Sequence, residues 1–451
     1  MNLLTFAPWP PLLIGVPLLG GAAAFVFRPL ARQIGILVAL LMPLLAAGLT
    51  SHVLARGSLR YPIGGWPAPL GINLYADGLS CCLIWMTVVV GGCVSLYALG
   101  FFTAAQAGDE AEPGFFIWPL WLLLWAALNG LFLSADLFNI YVCLELLGLA
   151  AVTLAALPGR PAALQAAMRY LLINLFGSAS FLLGVAVLYR EYGTLDLFAL
   201  QQLLEARPPV WIAAALLTMA LLLKSALFPL HFWLPPAHAN APAPVSAILS
   251  ALVVKASFYL LLRFWTQLFP GPDIVLLQFL GALGGAAILW GSVQALLAER
   301  LKPLIAYSTV SQIGYLFLFF PLMASPDTFM PLSGVIYFLL AHAAAKACLF
   351  FAAGLVKQVT GDDRLTGLTG ISQSLPMTSL SFGVAGVSLM GLPPTGGFIG
   401  KWNLLNAALQ SGQWWWAGII VVGGLLAAGY LFRPIALTFK QVAGRPQRFR
   451  A

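Results

Sequence analysis

Long apolar runs, each about the length of one bilayer crossing, alternate with short polar turns along nearly the whole chain. Roughly 20 apolar residues suffice for a helix to span the hydrocarbon layer. The runs predict spans at 10–27, 33–55, 77–102, 115–133, 136–157, 165–189, 209–230, 244–266, 274–297, 303–322, 331–356, 373–410 and 415–440. The pattern is that of an all-α polytopic membrane protein with about thirteen transmembrane helices. Two stretches are interrupted. The run 373–410 is too long for one straight crossing, and Gly-Leu-Pro-Pro-Thr-Gly-Gly at 391–397 divides it. Between 224 and 244 the chain is broken by Pro229, Pro235, Pro236, Pro242 and Pro244, each lacking the amide that a helix needs.

The breaks fall at matching places. Residues 1–114 supply the first three spans, 115–266 five more with the fourth broken, and 274–440 a further five, again with the fourth broken. An odd number of crossings per unit inverts the second copy relative to the first. Two inverted five-helix repeats with paired broken helices are a transporter architecture whose site lies near mid-membrane. Breaks within lipid are tolerated where the freed backbone faces protein or water, so hydrated cavities are expected beside them. A short basic tail, 441–451, follows.

Composition narrows the class. Of 451 residues, 61% are hydrophobic and 8% charged, against about 25% charged in soluble domains. Little remains for a soluble domain. The net charge of +8 comes without a basic run interleaved with aromatics, which argues against nucleic acid as a partner. The basic residues follow membrane topology instead. With the N-terminus outside, one side gathers Arg28, Arg32, Arg160, Arg169, Arg300, Lys302, Lys357, Arg364, Lys440, Arg445, Arg448 and Arg450, and the other only Arg56, Arg60, Arg190, Arg207 and Arg263. The positive-inside rule then predicts an inner-membrane protein with its N-terminus outside and its C-terminus cytoplasmic. The first positive charge is Arg28, so the first span is expected to be retained rather than cleaved. Cys81, Cys82, Cys93, Cys143 and Cys348 lie within spans without metal-ligand spacing, and neither a metal nor a disulfide is expected.

Against this apolar background the buried charges stand out. Lys224, Lys255, Lys346 and Lys401 lie well inside predicted spans, and Glu145 sits about ten residues into its own. An ionisable group at the bilayer centre costs about 2.5–3.5 kcal/mol on insertion scales. A carboxylate and an ammonium held together in hydrocarbon can exist as an ion pair or, after a proton moves, as a neutral pair. His342 and Lys346, spaced i and i+4, share a helix face among small alanines. His231 and His238 flank the first break, where either bonding of freed carbonyls or proton relay is open to them. Lys401 follows the second break.

The segment Leu-Lys-Pro-Leu-Ile-Ala-Tyr-Ser-Thr-Val-Ser-Gln-Ile-Gly-Tyr at 301–315 resembles the signature of the antiporter-like proton-conducting subunits. That family is shared by complex I, energy-converting hydrogenases and Mrp-type cation/proton antiporters. Its other marks are Phe-Asn-Ile-Tyr at 138–141 with Glu145, Lys224 before Phe-Pro-Leu-His-Phe-Trp-Leu-Pro, His342 with Lys346, and Gly-Leu-Pro-Pro with Gly-Phe-Ile-Gly before Lys401. The resemblance covers essentially residues 60–440. Gly-Gly-Trp-Pro-Ala-Pro-Leu-Gly-Ile at 64–72, leading to Asp-Gly-Leu-Ser at 77–80, looks most like the D-type subunit of the Mrp antiporters and their hydrogenase relatives. Pro236 stands where the family often carries aspartate, and the chain ends about one span short of the usual fourteen.

The resemblance implies a proton-translocating subunit in which Glu145 tunes Lys224, Lys224 exchanges a proton with Lys255, His342 and Lys346 continue the path, and Lys401 is the terminal donor or acceptor. It also implies partner membrane subunits that supply the driving force, since no nucleotide, flavin, haem or iron–sulfur motif is present. The expected cargo is protons, with Na⁺ or K⁺ open. Two assemblies fit these residues: an Mrp-like antiporter, and a redox-driven complex of the NADH:quinone oxidoreductase or hydrogenase type. A non-conducting scaffold is the third alternative, and the set of buried charges argues against it.

Overall fold

In the computed structural model, residues 8–106, 114–323 and 327–440 are described. The predicted tail 441–451, with Arg445, Arg448 and Arg450, lies outside them. The helices in chain order are α1 (Trp9–Val26), α2 (Ala31–Arg56), α3 (Gly78–Gln106), α4 (Ile117–Leu133), α5 (Leu137–Ala156), α6 (Pro161–Tyr192), α7 (Leu197–Leu203), α8 (Pro208–Lys224) and α9 (Leu234–Asn240). They continue with α10 (Ala243–Ile248), α11 (Val254–Arg263), α12 (Ile274–Leu297), α13 (Leu301–Phe317), α14 (Phe319–Leu322), α15 (Phe329–Thr360), α16 (Pro376–Met390), α17 (Gly396–Gln410) and α18 (Trp414–Phe439). Among the described residues, 10 helices are long and apolar enough to cross a membrane, and Ile117–Leu133, Pro208–Lys224 and Pro376–Met390 are shorter apolar helices. Each predicted span finds its helix, and the protein is all-helical and multi-pass. The run 373–410 is divided into α16 and α17.

One element escapes the hydropathy pattern. Between α2 and α3, Leu59–Pro62 and Asn73–Ala76 form an antiparallel ribbon, β1 and β2. Four-residue strands carry too little alternation to register beside spans five times as long.

Two compact units pack within the chain: Met1–Ser225 with Leu252–Pro272, and Ala226–Ala251 with Asp273–Ala451. This division follows packing rather than the sequence repeat, because residues 226–251 join the second unit. In the first unit α4 packs against α1 and α5, α5 against α6, and α6 against α8. In the second, α13 packs against α12 and α15, and α15 against α10, α16 and α17.

The helix ends explain where the breaks fall. Carboxylates cap three starts: Asp136 accepts from the Asn139 amide, Asp196 from those of Phe198 and Ala199, and Asp273 from that of Val275. Such caps satisfy amides that have no partner within the helix. α8 ends at Lys224, two residues before Ala226 turns to φ 54°. α16 ends at Gly391, whose φ of 85° favours glycine, and Thr395 then caps α17. Between α10 and α11, Leu249–Val253 form a single π-helical turn.

Candidate functional site

In the first unit the predicted carboxylate and lysine meet. The Nζ of Lys224, at the end of α8, lies 3.8 Å from Glu145 Oε1 on α5. It also donates to Asn174 Oδ1 at 2.5 Å and to Ser178 Oγ at 2.9 Å, both on α6. The Ser178 hydroxyl in turn donates to Glu145. One hydroxyl therefore accepts from the ammonium and donates to the carboxylate, which is the arrangement a proton needs to pass between them. Lys224 is nearly fully buried, while the Glu145 side chain is 21% exposed within this chain.

Asn174 and Ser178 do not stand out in the sequence. Their i, i+4 spacing within an apolar helix is the available signal, but only packing shows which neighbour that face meets. A glycine makes the fit possible. A Cβ added at Gly148 on α5 would stand 2.2 Å from Asn174 Nδ2. Gly148→Ala should therefore displace the amide that holds Lys224 and lower proton flux several-fold while the protein still inserts. In an Asn174→Ala background the same substitution should cost little further, and a double-mutant comparison of reconstituted flux checks this.

Lys255 is fully buried on α11, two residues past the π-helical turn. π turns within helices occur frequently at functional sites. Four and eight residues further along the same helix stand Tyr259 and Arg263. The charge pattern counts Arg263 among the basic residues of one membrane side. It is 6% exposed and paired through its guanidinium with both oxygens of Asp77, just before α3. Burial alone would raise the Asp77 carboxyl, but the hydrogen bonds and charge of Arg263, with those from Ser80, hold it below its ordinary value. Lys302, counted on the other side, is buried likewise. It is 3% exposed, and its ammonium donates to the Ala241 carbonyl at the end of α9. Both charges lie near span ends, where a long side chain is able to reach the interface. The protein satisfies them internally.

The second unit holds the remaining candidates. Lys346 on α15 donates to the Ile305 carbonyl at 3.0 Å and to the Ser308 hydroxyl, both on α13. One turn earlier, the His342 ring lies parallel to Phe338 with centroids 5.8 Å apart. Lys401 on α17 reaches back across the second break and donates to the Leu389 and Met390 carbonyls at 2.7 and 3.3 Å. These are among the last carbonyls of α16, which have no partner within that helix and form the negative end of its dipole. The Lys401 ammonium also stands 4.3 Å from the Tyr315 ring centroid and 5.8 Å from that of Phe338. Phe338 thus touches both His342 and Lys401. The signature helix α13 contributes Ser308 to one lysine and Tyr315 to the other, seven residues apart and so on one face.

The two histidines of the first break lie apart from these lysine contacts. His231 stacks on Phe228 with centroids 5.5 Å apart, and His238 is wholly buried and stacks on Phe350 at 4.8 Å. Ser246 donates to the His238 backbone carbonyl.

Buried lysines held by carbonyls, hydroxyls and one shared carboxylate, set beside paired helix breaks, define an antiporter-like membrane subunit. The family described as NADH:quinone oxidoreductase/Mrp antiporter, transmembrane, matches residues 134–427, and the chain belongs to it. It is 37% identical over 448 residues to the N subunit of the NADH-quinone oxidoreductase of Desulforudis audaxviator, covering 97% of this chain and 87% of that one. It is 30% identical over 435 residues to the D subunit of the Na(+)/H(+) antiporter of Alkalihalophilus pseudofirmus, covering 94% and 85%. Among solved structures, a chain of the membrane-bound sulfane sulfur reductase, an archaeal respiratory membrane complex, superposes with a TM-score of 0.89 at 29% identity, covering 97% of this chain and 89% of that one.

Proposed function

We propose that this subunit carries protons across the membrane by way of Glu145, Lys224, Lys255, His342, Lys346 and Lys401, as part of a multisubunit complex whose other members supply the driving force. The observation that carries the reading is the Ser178 hydroxyl set between the Lys224 ammonium and the Glu145 carboxylate. A proton leaving Lys224 toward Glu145 converts an ion pair into a neutral pair, and the lysine is then free to take another. His231 and His238 act as packing elements of the first break. The two repeats, 115–266 and 274–440, are inverted copies that each supply one broken helix. The N-terminus faces outward and the C-terminus the cytoplasm, as the basic residues left at the surface still favour.

For the assembly, the glycine-rich segment 64–72 and the Asp77 motif favour an Mrp-like cation/proton antiporter, with this chain in the place of the D-type subunit. The 37% identity to an N subunit of an NADH-quinone oxidoreductase favours a second reading, in which a redox reaction in partner subunits drives the same path. Extraction of native membranes in mild detergent should bring down several membrane subunits in fixed ratio. Co-purifying iron–sulfur and quinone-linked subunits select the redox reading, and small membrane subunits without redox centres select exchange. Robust cation-coupled proton transport by the isolated chain in liposomes would overturn the requirement for partners.

A further inference from the structure

The column above Lys255 has a use that the Glu145–Lys224 pair does not supply. Lys255, Tyr259 and Arg263 stand at i, i+4 and i+8 on α11, hence on one face. The Tyr259 hydroxyl donates to the Phe132 carbonyl at 3.0 Å and accepts from Arg263 Nε at 3.0 Å. Asp77 neutralises Arg263, and the Ser80 hydroxyl takes a further guanidinium hydrogen at 3.1 Å. Beside this network lies a cavity of about 40 Å³, where one water needs about 10–15 Å³. Gln201 and Gln267, both exposed, stand at its mouth, and Tyr259 and Arg263, only 4% and 6% exposed, form its floor; most of the remaining wall is apolar, Leu197, Phe264 and Leu268 included. The cavity thus opens at the protein surface and ends at Tyr259, its lining residue nearest to Lys255 on α11; Lys255 itself stands four residues, about 6 Å of helix rise, from Tyr259 along that helix.

We propose that this cavity is the aqueous port through which Lys255 exchanges its proton with solvent at the end of the first unit formed by β2 and the start of α5. The proposal rests on the reading that Lys255 carries protons. In the outward direction, the Nζ–H bond of protonated Lys255 breaks, a water oxygen accepts the proton, and the lysine is left neutral. The excess charge then passes from water to water through the cavity and past Gln201 and Gln267. No electrons change hands. Arg263 paired with Asp77 offers the water chain a polar wall without the net positive charge that would repel a hydronium. Tyr259 is a positioning residue: with its hydrogen given to the Phe132 carbonyl, its hydroxyl orients the innermost water by accepting from it. In the N-out orientation this port opens on the outer side.

The test uses the assembled complex carrying Gln201→Cys, with the parent complex treated alongside to account for native cysteines. A bulky trimethylammonium methanethiosulfonate, added from one side, should lower proton flux of the variant about a hundredfold, on the scale of a lost proton-transfer step. The small methyl reagent should leave flux close to that of the unmodified variant. Full modification by the bulky reagent, confirmed by intact mass, with unchanged flux overturns the port. Tyr259→Phe, which keeps the ring, should slow flux several-fold and enlarge its solvent isotope effect. An unaltered rate and isotope effect overturn the role of the hydroxyl. Glu145→Gln, measured in parallel, separates the two levels. Flux lost in Glu145→Gln but kept in blocked Gln201→Cys rejects the port alone, whereas flux kept in both rejects the proton-transfer reading beneath it.

Discussion

Replacing Glu145 with glutamine is expected to reduce proton flux through the reconstituted complex by about a hundredfold, the scale on which positioned acid–base groups act. Glutamine matches glutamate in size and can still accept from the Ser178 hydroxyl, so the packing of α5 against α6 is kept. What disappears is the site that takes a proton and the negative charge facing Lys224. Removing one partner of a fully buried ion pair costs about 3–5 kcal/mol. Glu145 is partly exposed, however, and Lys224 retains Asn174 and Ser178, so the loss of stability should be smaller and assembly should survive. Blue-native electrophoresis with flux measured on the same preparation checks both halves. Near-normal flux in an intact complex would sink the assignment of Glu145.

The second large effect is expected from arginine at the first two lysines. Arginine stays charged throughout the accessible pH range and releases protons poorly. At position 224 its fork can bond the same Asn174, Ser178 and Glu145 oxygens, so the ion pair persists or strengthens while exchange stops. Lys224→Arg should hold thermal stability close to that of the parent and lose proton flux by about a hundredfold. Lys255→Arg should do the same where the longer side chain is accommodated. That split, stability kept and transport lost, separates a proton carrier from an electrostatic fixture. Full transport rates in both variants would mean that the lysines only fix the helices.

How much of this is legible in the chain depends on the length scale of each signal. Spans about 20 residues long announce themselves by hydropathy, and the prolines clustered from Pro229 or the Gly-Leu-Pro-Pro run mark a break, whereas the single prolines Pro17, Pro43 and Pro434 sit inside unbroken helices. The ribbon at Leu59–Pro62 and Asn73–Ala76 is hidden by its brevity. Site residues divide similarly. A lysine or glutamate deep in an apolar run is conspicuous, whereas Asn174, Ser178 and Ser308 are small polar residues of a kind that commonly bond their own helix. Their role exists only once α6 meets α8 and α13 meets α15. Phe338 and Tyr315 are less visible still, because an aromatic in a membrane helix is ordinary until a cation sits on it. Arg263 and Lys302 show what a count of charges per side leaves out. Their places in the sequence carry no sign of the Asp77 carboxylate and the Ala241 carbonyl that hold them inside the protein.

The place of Lys255 along its helix has an electrical consequence. It lies at the middle of the 26-residue span Ala243–Leu268, so on the proposed path a proton passing between it and the side away from the port crosses at least about half of the transmembrane field. Moving a unit charge through the whole field is worth about 2.3 kcal/mol per 100 mV, and half of that changes occupancy several-fold. Membrane voltage thus acts on this lysine as a change of pH on one side would, and the charging of an energised membrane is felt at the residue itself.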